Sequence, residues 1–124
     1  MTETMASVRY VVDDVQAALD FYTTHLGFTA GRLAVPAFAE VVSGPLRLLI
    51  SGPASSGYRS TPDDAAVPGR NRVLVLVDDL EAEVARLRGA DVPFRSDVTA
   101  GPGGRQILVA DPAGNLVELF EPAG

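Results

Sequence analysis

Two segments of the chain share one pattern, in which an apolar run gives way to apolar residues at helical spacing. They read VRYVVDDVQAALDFY near the start of the chain and VLVLVDDLEAEVARL in its middle, and they align without a gap. In each, the apolar run ends in Val-Asp-Asp, and an aspartate just before a helix is a favoured N-cap. We expect Asp14 and Asp79 to be those caps. Gly27 and Gly89 follow the helices as expected C-cap residues, so the pattern predicts a strand and a helix, twice.

Shorter strand candidates follow each of these helices. FAEVV and LRLLIS follow the first, and RQILVA and NLVELFE follow the second. We interpret the chain as two βαβββ repeats, about residues 5–53 and 70–122, in a single α+β domain of 124 residues. The segment of about residues 52–70 is rich in Ser, Gly, Pro and Asp, which predicts a linker or mobile loop. A repeat this small hardly buries both faces of its sheet, so we expect the repeats to pack on each other or on a second copy.

The composition narrows the class of partner. The chain has 16 acidic and 10 basic residues, a net charge of -6 and no basic cluster, so nucleic acid is not an expected partner. No apolar run approaches the roughly 18 residues of a membrane span, and the N-terminus shows no secretion signal. We therefore expect a cytoplasmic protein that binds no membrane. Every basic side chain is Arg, which favours a GC-rich source such as an actinobacterium.

Few residues of the chain are suited to covalent chemistry. Cysteine and lysine are absent, which excludes thiolate metal sites, a cysteine nucleophile and a Schiff base. The sequence has no GxSxG motif, no Walker loop and no strand-GxGxxG-helix motif. His25 is the single histidine and a candidate proton shuttle, but its position near the end of the first helix favours a surface or capping residue.

Two longer stretches carry a family resemblance. VRYVVDDVQAALDFYTTHLGF and DPAGNLVELFEP resemble the opening and closing signatures of the vicinal oxygen chelate superfamily, the glyoxalase and bleomycin-resistance fold. The resemblance covers nearly the whole chain and implies curved mixed sheets, paired in a homodimer. It is a poor guide to function, because the superfamily includes metal-dependent isomerases, ring-opening dioxygenases, thiol transferases that destroy fosfomycin, and metal-free proteins that sequester antibiotics.

The same resemblance identifies the positions at which enzymes of this superfamily hold a divalent metal. The first and the last strand of each repeat contribute one ligand, and the four positions here are Ser7, Leu49, Arg72 and Glu118. Such a metal generally needs three or more protein ligands, and here only Glu118 is a good one. We therefore expect no metal, no other cofactor and no catalytic residue. Arg72 and Glu118 are instead candidates for an ion pair.

A curved sheet that holds no metal still encloses a largely apolar groove, the usual setting for a small organic ligand. Phe38 is the best candidate for stacking on an aromatic ligand, although an ordinary core position is equally compatible with the pattern. Tyr58 stands alone in the predicted loop, where it either closes over a ligand or has no role. Strand alternation and the glycine-rich turn before Arg105 indicate further candidate ligand-binding residues. The predicted ligand-binding set is Ser7, Arg9, Phe38, Leu49, Tyr58, Arg72, Leu74, Arg105, Gln106, Glu118 and Phe120.

The leading hypothesis is a metal-free binding protein that gives its host self-resistance by sequestering an antibiotic or other aromatic natural product. Its expected partner is an aromatic or polycyclic small molecule, held in grooves at the interface of a homodimer. The alternative is an enzyme of the same superfamily, a lyase, isomerase or dioxygenase that uses a metal or Glu118. A third possibility is a small accessory subunit with no ligand.

Overall fold

The computed structural model describes residues 7–63 and 71–124 of the chain. These residues fall into two compact units, which we call the first unit, residues 7–63, and the second unit, residues 71–124. Each unit contains a strand, a helix and three further strands, so the α+β class and the two βαβββ repeats are confirmed. No helix among the described residues is long and apolar enough to cross a membrane.

The first unit builds one four-stranded sheet. Its elements are β1 (Val8–Val11), α1 (Val15–His25), β2 (Thr29–Ala34), β3 (Phe38–Ser43), β4 (Leu46–Ser51) and α2 (Ser56–Arg59). The strand order is β1-β4-β3-β2, with β1 parallel to β4 and the other neighbours antiparallel. Because side chains alternate along a strand, one face of the sheet packs under α1 and the other, its far face, does not. The buried residues between sheet and helix include Tyr10, Val15, Ala18, Leu19, Tyr22, Ala39, Val41, Leu48 and Ile50.

The second unit repeats this arrangement. Its elements are β5 (Arg72–Leu76), α3 (Leu80–Gly89), β6 (Thr99–Gly101), β7 (Gly104–Ala110) and β8 (Leu116–Pro122). The strand order is β5-β8-β7-β6, and β5 runs parallel to β8. One face of this sheet packs under α3, and we call the opposite side its far face. The buried residues between sheet and helix include Val73, Leu80, Val84, Leu87, Ile107, Val109, Val117 and Leu119.

The two long helices begin where the sequence predicts. The Asp14 carboxylate accepts the backbone N–H of Ala17 at 3.0 Å, before the first turn of α1. The Asp79 carboxylate accepts the N–H of Ala82 at 3.1 Å, before the first turn of α3. Each bond satisfies one of the N–H groups that the start of a helix leaves without an internal partner. Both predicted N-caps are therefore confirmed.

The ends of these helices differ from one another. Gly27 follows α1 with φ of 72°, the left-handed conformation expected of a C-cap glycine. Gly89 is instead the last residue of α3, so its predicted capping role is wrong. The left-handed residue after α3 is Asp91, with φ of 59°. A short polar side chain tolerates that conformation better than most, which lets the helix continue through Gly89 before the chain turns.

The segment expected to be a loop contains a helical turn. Ser55 caps this turn, α2: its hydroxyl accepts the N–H of Tyr58 at 3.1 Å and donates to the carbonyl of Gly52 at 2.7 Å. The prediction of a linker without its own structure is therefore wrong for residues 56–59. Its composition hid the turn because serine and glycine are typical of both loops and helix caps. Residues 64–70 of the predicted linker lie outside the described residues.

We expect Asp14→Ala and Asp79→Ala each to lower the free energy of unfolding by about 1 kcal/mol, because each leaves a helix N–H without its capping acceptor. The measurement is chemical denaturation at neutral pH. Asp13→Ala and Asp78→Ala are matched controls that remove a neighbouring exposed carboxylate and keep the cap. Equal losses in caps and controls would show that general charge, and not capping, is responsible.

Candidate functional site

An ion pair on the far face of the second sheet joins the first and last strands of the unit. Arg72 Nε lies 2.9 Å from Glu118 Oε1, so these two candidates for an ion pair do form one. The Glu118 side chain is only 7% exposed, whereas that of Arg72 is 44% exposed. A buried carboxylate is costly unless it is paired, so the guanidinium compensates for the burial of Glu118.

The metal positions implied by the family resemblance do not fit a divalent cation. In the strand registers Arg9 lies opposite Leu49 and Leu74 lies opposite Glu118, so Leu49 and Glu118 occupy equivalent places in the two units. Leu49 has no donor atom, and the Glu118 carboxylate already binds a guanidinium. Ser7 is exposed just before β1. Among residues 7–63 and 71–124, no group of three or more His, Cys, Asp or Glu side chains is placed to hold a metal ion.

Other predicted residues lie beside this ion pair on the same far face. Gln106 lies opposite Phe120 in the pairing of β7 with β8, and both side chains are half-buried. Leu74 is 48% exposed. The alternation predicted for the second repeat thus brings these three side chains to the face that carries Glu118.

Arg105, another residue of the predicted ligand-binding set, does not lie on this far face. It lies opposite Glu121, on the face that packs under α3, and its Nη2 is 2.9 Å from Glu121 Oε2. The other carboxylate oxygen of Glu121 accepts the N–H of Leu80 at 2.9 Å, at the first residue of α3. This N–H lowers the pKa of Glu121 below its ordinary value of 4.5, and Arg105 lowers that pKa further. Arg105 therefore supports the start of a helix.

An open cavity of about 420 Å³ lies in the first unit. Two of the predicted ligand-binding residues, Arg9 and Phe38, line it. Phe38 is half-buried, so part of its ring is available to a ligand. The full lining is Arg9, Arg32, Leu33, Ala34, Ala37, Phe38, Ser55, Ser56 and Gly57. Arg32 and the residues of α2 could not be predicted from the sequence, because a register shift in β2 and a single helical turn leave no periodic signal.

The guanidinium of Arg9 is held at one wall of this cavity. Its Nη1 donates to the hydroxyl of Ser51 at 2.8 Å, and Ser51 is fully buried. The backbone of Gly57 lies against the same group, since a Cβ on Gly57 would fall 2.7 Å from Arg9 Cζ. Only glycine permits so close an approach. Because Gly57 has no side chain, the Arg9 guanidinium can lie directly against the backbone of α2.

Tyr58 and His25 do not line this cavity. Tyr58 is half-buried on α2 and is not among the residues that line the cavity. His25 is the last residue of α1, and its ring lies edge-on to Phe21 with 5.8 Å between centroids. The placement of His25 at the helix end agrees with the interpretation favoured by the sequence.

A second cavity, of about 370 Å³, lies in the second unit beside Phe94. Arg88 lies over the Phe94 ring, 5.3 Å from its centroid, so one face of that ring is already covered. No residue of the predicted ligand-binding set lines this cavity. The cavity of the first unit is therefore the better candidate for an aromatic ligand.

The chain matches a known family over almost its whole length. The sequence profile of the Glyoxalase/Bleomycin resistance protein/Dioxygenase superfamily matches residues 4–119. The protein belongs to this superfamily, as its two signatures indicated. A search of curated proteins found no significant match.

Solved structures with different functions share the fold. A lactoylglutathione lyase from Agrobacterium tumefaciens is 22% identical, with a TM-score of 0.75 and coverage of 97% of this chain and 94% of that one. TnmS3, an antibiotic binding protein from a Streptomyces species, is 24% identical, with a TM-score of 0.71 and coverage of 99% and 100%. The fosfomycin resistance protein FosX from Listeria monocytogenes is 14% identical, with a TM-score of 0.73 and coverage of 99% and 96%. At these identities the likeness shows the fold alone.

We expect Arg72→Met to lower the free energy of unfolding by about 1–3 kcal/mol, because it leaves the Glu118 carboxylate buried without its partner. Arg86→Met is the matched control, since Arg86 pairs with Glu83 on an exposed helix surface, where the loss should be under about 1 kcal/mol. The double variant Arg72→Met, Glu118→Met should recover most of the lost stability in urea denaturation. Strictly additive losses would contradict the coupling of the two side chains.

We expect Glu121 to stabilise the second unit at neutral pH and to lose that effect in acid. Because its folded pKa is lowered, its contribution is complete above the ordinary value of 4.5 and disappears as the pH falls through the lowered pKa. The melting temperature of Glu121→Gln should fall below that of the wild type at pH about 7, and the difference should shrink towards pH about 3. Arg105→Gln should remove part of the same pH-dependent gap, and a gap that widens in acid would contradict this account.

Proposed function

We propose that this protein binds an aromatic or polycyclic natural product without a metal and protects its host by sequestering that compound. The ion pair between Arg72 and Glu118 carries the proposal. It places a guanidinium against the carboxylate that would otherwise be a metal ligand, while the equivalent position in the first unit is Leu49.

The cavity of the first unit supports a small organic ligand. Its volume of about 420 Å³ falls within the range of roughly 300–1,000 Å³ that is usual for such sites. Phe38 offers a half-buried ring, and apolar and charged side chains line the same space. TnmS3, an antibiotic binding protein with the same fold, supports this class of ligand.

The proposal includes a homodimer and a cytoplasmic location. Leu74 and Leu76 are 48% and 66% exposed on the strand that also carries Arg72, and exposed leucines of this kind favour association. Light scattering coupled to size-exclusion chromatography measures the mass directly. A monomer at micromolar concentration would remove the dimer from the proposal and leave the binding function to be tested separately.

The test of sequestration is whether the bound compound returns unchanged. A thermal-shift screen against aromatic antibiotics and flavin-like molecules identifies a binder, which is then incubated with the protein, extracted and analysed by mass spectrometry. We expect a raised melting temperature and recovery of the starting mass. A new product that forms in proportion to the protein would establish the enzyme alternative in place of sequestration.

We expect Phe38→Leu to weaken binding of that compound about 3- to 10-fold, which corresponds to the loss of one aromatic contact. Isothermal titration measures the affinity. Phe120→Leu makes the same chemical change at a residue of the second unit that does not line the cavity, and should have a smaller effect. A larger effect from Phe120→Leu would move the aromatic site to the far face of the second sheet.

A further inference from the structure

Two arginines line the cavity of the first unit without an acidic partner. Arg9 and Arg32 form no ion pair within the part of the chain that the structure describes. Four other arginines, Arg47, Arg72, Arg86 and Arg105, do form ion pairs. The chain has a net charge of -6, so a cavity lined by these two arginines is locally more positive than the protein as a whole.

Glu40, an acidic residue of the neighbouring strand β3, already has two partners. Glu40 lies opposite Leu49 in the sheet, and its carboxylate lies 3.5 Å from Arg47 Nε. The other oxygen of Glu40 accepts the backbone N–H of Arg32 at 3.2 Å. Glu40 does not line the cavity, and its two carboxylate oxygens contact Arg47 and the irregular backbone of β2.

The Arg9 guanidinium is also held in place before any ligand arrives. One of its N–H groups is used by Ser51, and the others have no partner among the described residues. Contact with Gly57 limits the positions that the side chain can adopt. A guanidinium presents several donors in one plane, and donors fixed in advance bind an oxyanion with a smaller loss of conformational entropy.

We propose that this cavity selects aromatic ligands that carry an anionic group, a carboxylate, sulfonate or phosphate. Arg9 binds the anionic group, Arg32 adds positive charge, and the ring system lies against Phe38. Gly57 is a positioning residue, because it acts on the ligand only through the place it leaves for Arg9. This specificity rests on the proposed binding function and assigns its ligand class.

The test uses two fluorescent probes that share an aromatic skeleton and differ in charge. Anilinonaphthalene sulfonate is anionic, and N-phenylnaphthylamine is its uncharged counterpart. We expect the protein to bind the sulfonate more tightly, and the double variant Arg9→Gln, Arg32→Gln to weaken binding of the sulfonate about tenfold while it changes binding of the neutral probe less than twofold. Arg59→Gln is the control, because Arg59 is an exposed arginine of α2 that does not line the cavity.

Two single variants separate ligand binding from support of the fold. Arg9→Lys keeps the charge and should retain part of the preference for the sulfonate, whereas Gly57→Ala displaces the guanidinium and should reduce that preference with all arginines present. Melting temperatures establish that each variant is folded. Equal binding of the two probes, failure of both to bind, or a loss in Arg59→Gln as large as in the double variant would overturn the proposal. These results do not show whether a bound compound is altered. Sequestration is tested separately, by recovery and mass analysis of the bound compound.

Discussion

The first and last strands of each unit pair in parallel, and the rest of each unit depends on that pairing. Parallel neighbours cannot be joined by a tight turn, so the chain must cross over between them, and α1 and α3 lie in those crossovers. The helices bury one face of each sheet and leave the other for side chains that do not belong to the core. The same pairing brings Arg72 beside Glu118, and Arg9 beside Ser51.

The two units use this shared frame differently. In the second unit the positive charge of Arg72, on β5, is paired with the buried carboxylate of Glu118. In the first unit the position equivalent to Glu118 is Leu49, and within the described residues the neighbouring Arg9 bonds to the Ser51 hydroxyl and forms no ion pair. One repeat therefore has an internally neutralised pair, and the other retains positive charge at a cavity.

Much of the fold could be predicted from the sequence, because local signals agree with the tertiary arrangement. The Val-Asp-Asp pattern predicts both a strand end and a helix cap, and each capping aspartate forms its bond. The pairing of Arg72 with Glu118 was a candidate because the family resemblance puts both residues at metal-ligand positions, and the structure shows the ion pair. The predictions failed where one local signal has several physical outcomes, as for Gly89 and for the turn at residues 56–59.

The site could be predicted only in part. Phe38 and Arg9 lie on regular strands, and the sequence named both as candidate ligand contacts. Arg32 lies in an irregular region of β2, and Gly57 acts through its close approach to Arg9, so neither has a sequence signal. Arg105 was a candidate ligand contact because it follows the glycine-rich turn, and that local signal does not show which face of β7 its side chain takes.

The central claim is that Glu118 belongs to an ion pair and not to a metal centre. Elemental analysis of protein purified without chelators tests it most directly, with wild type and Glu118→Gln compared side by side. The account predicts less than a tenth of an equivalent, as an order-of-magnitude bound, of Ni, Fe, Mn or Zn in both proteins. A stoichiometric metal in the wild type that is lost in Glu118→Gln would contradict it.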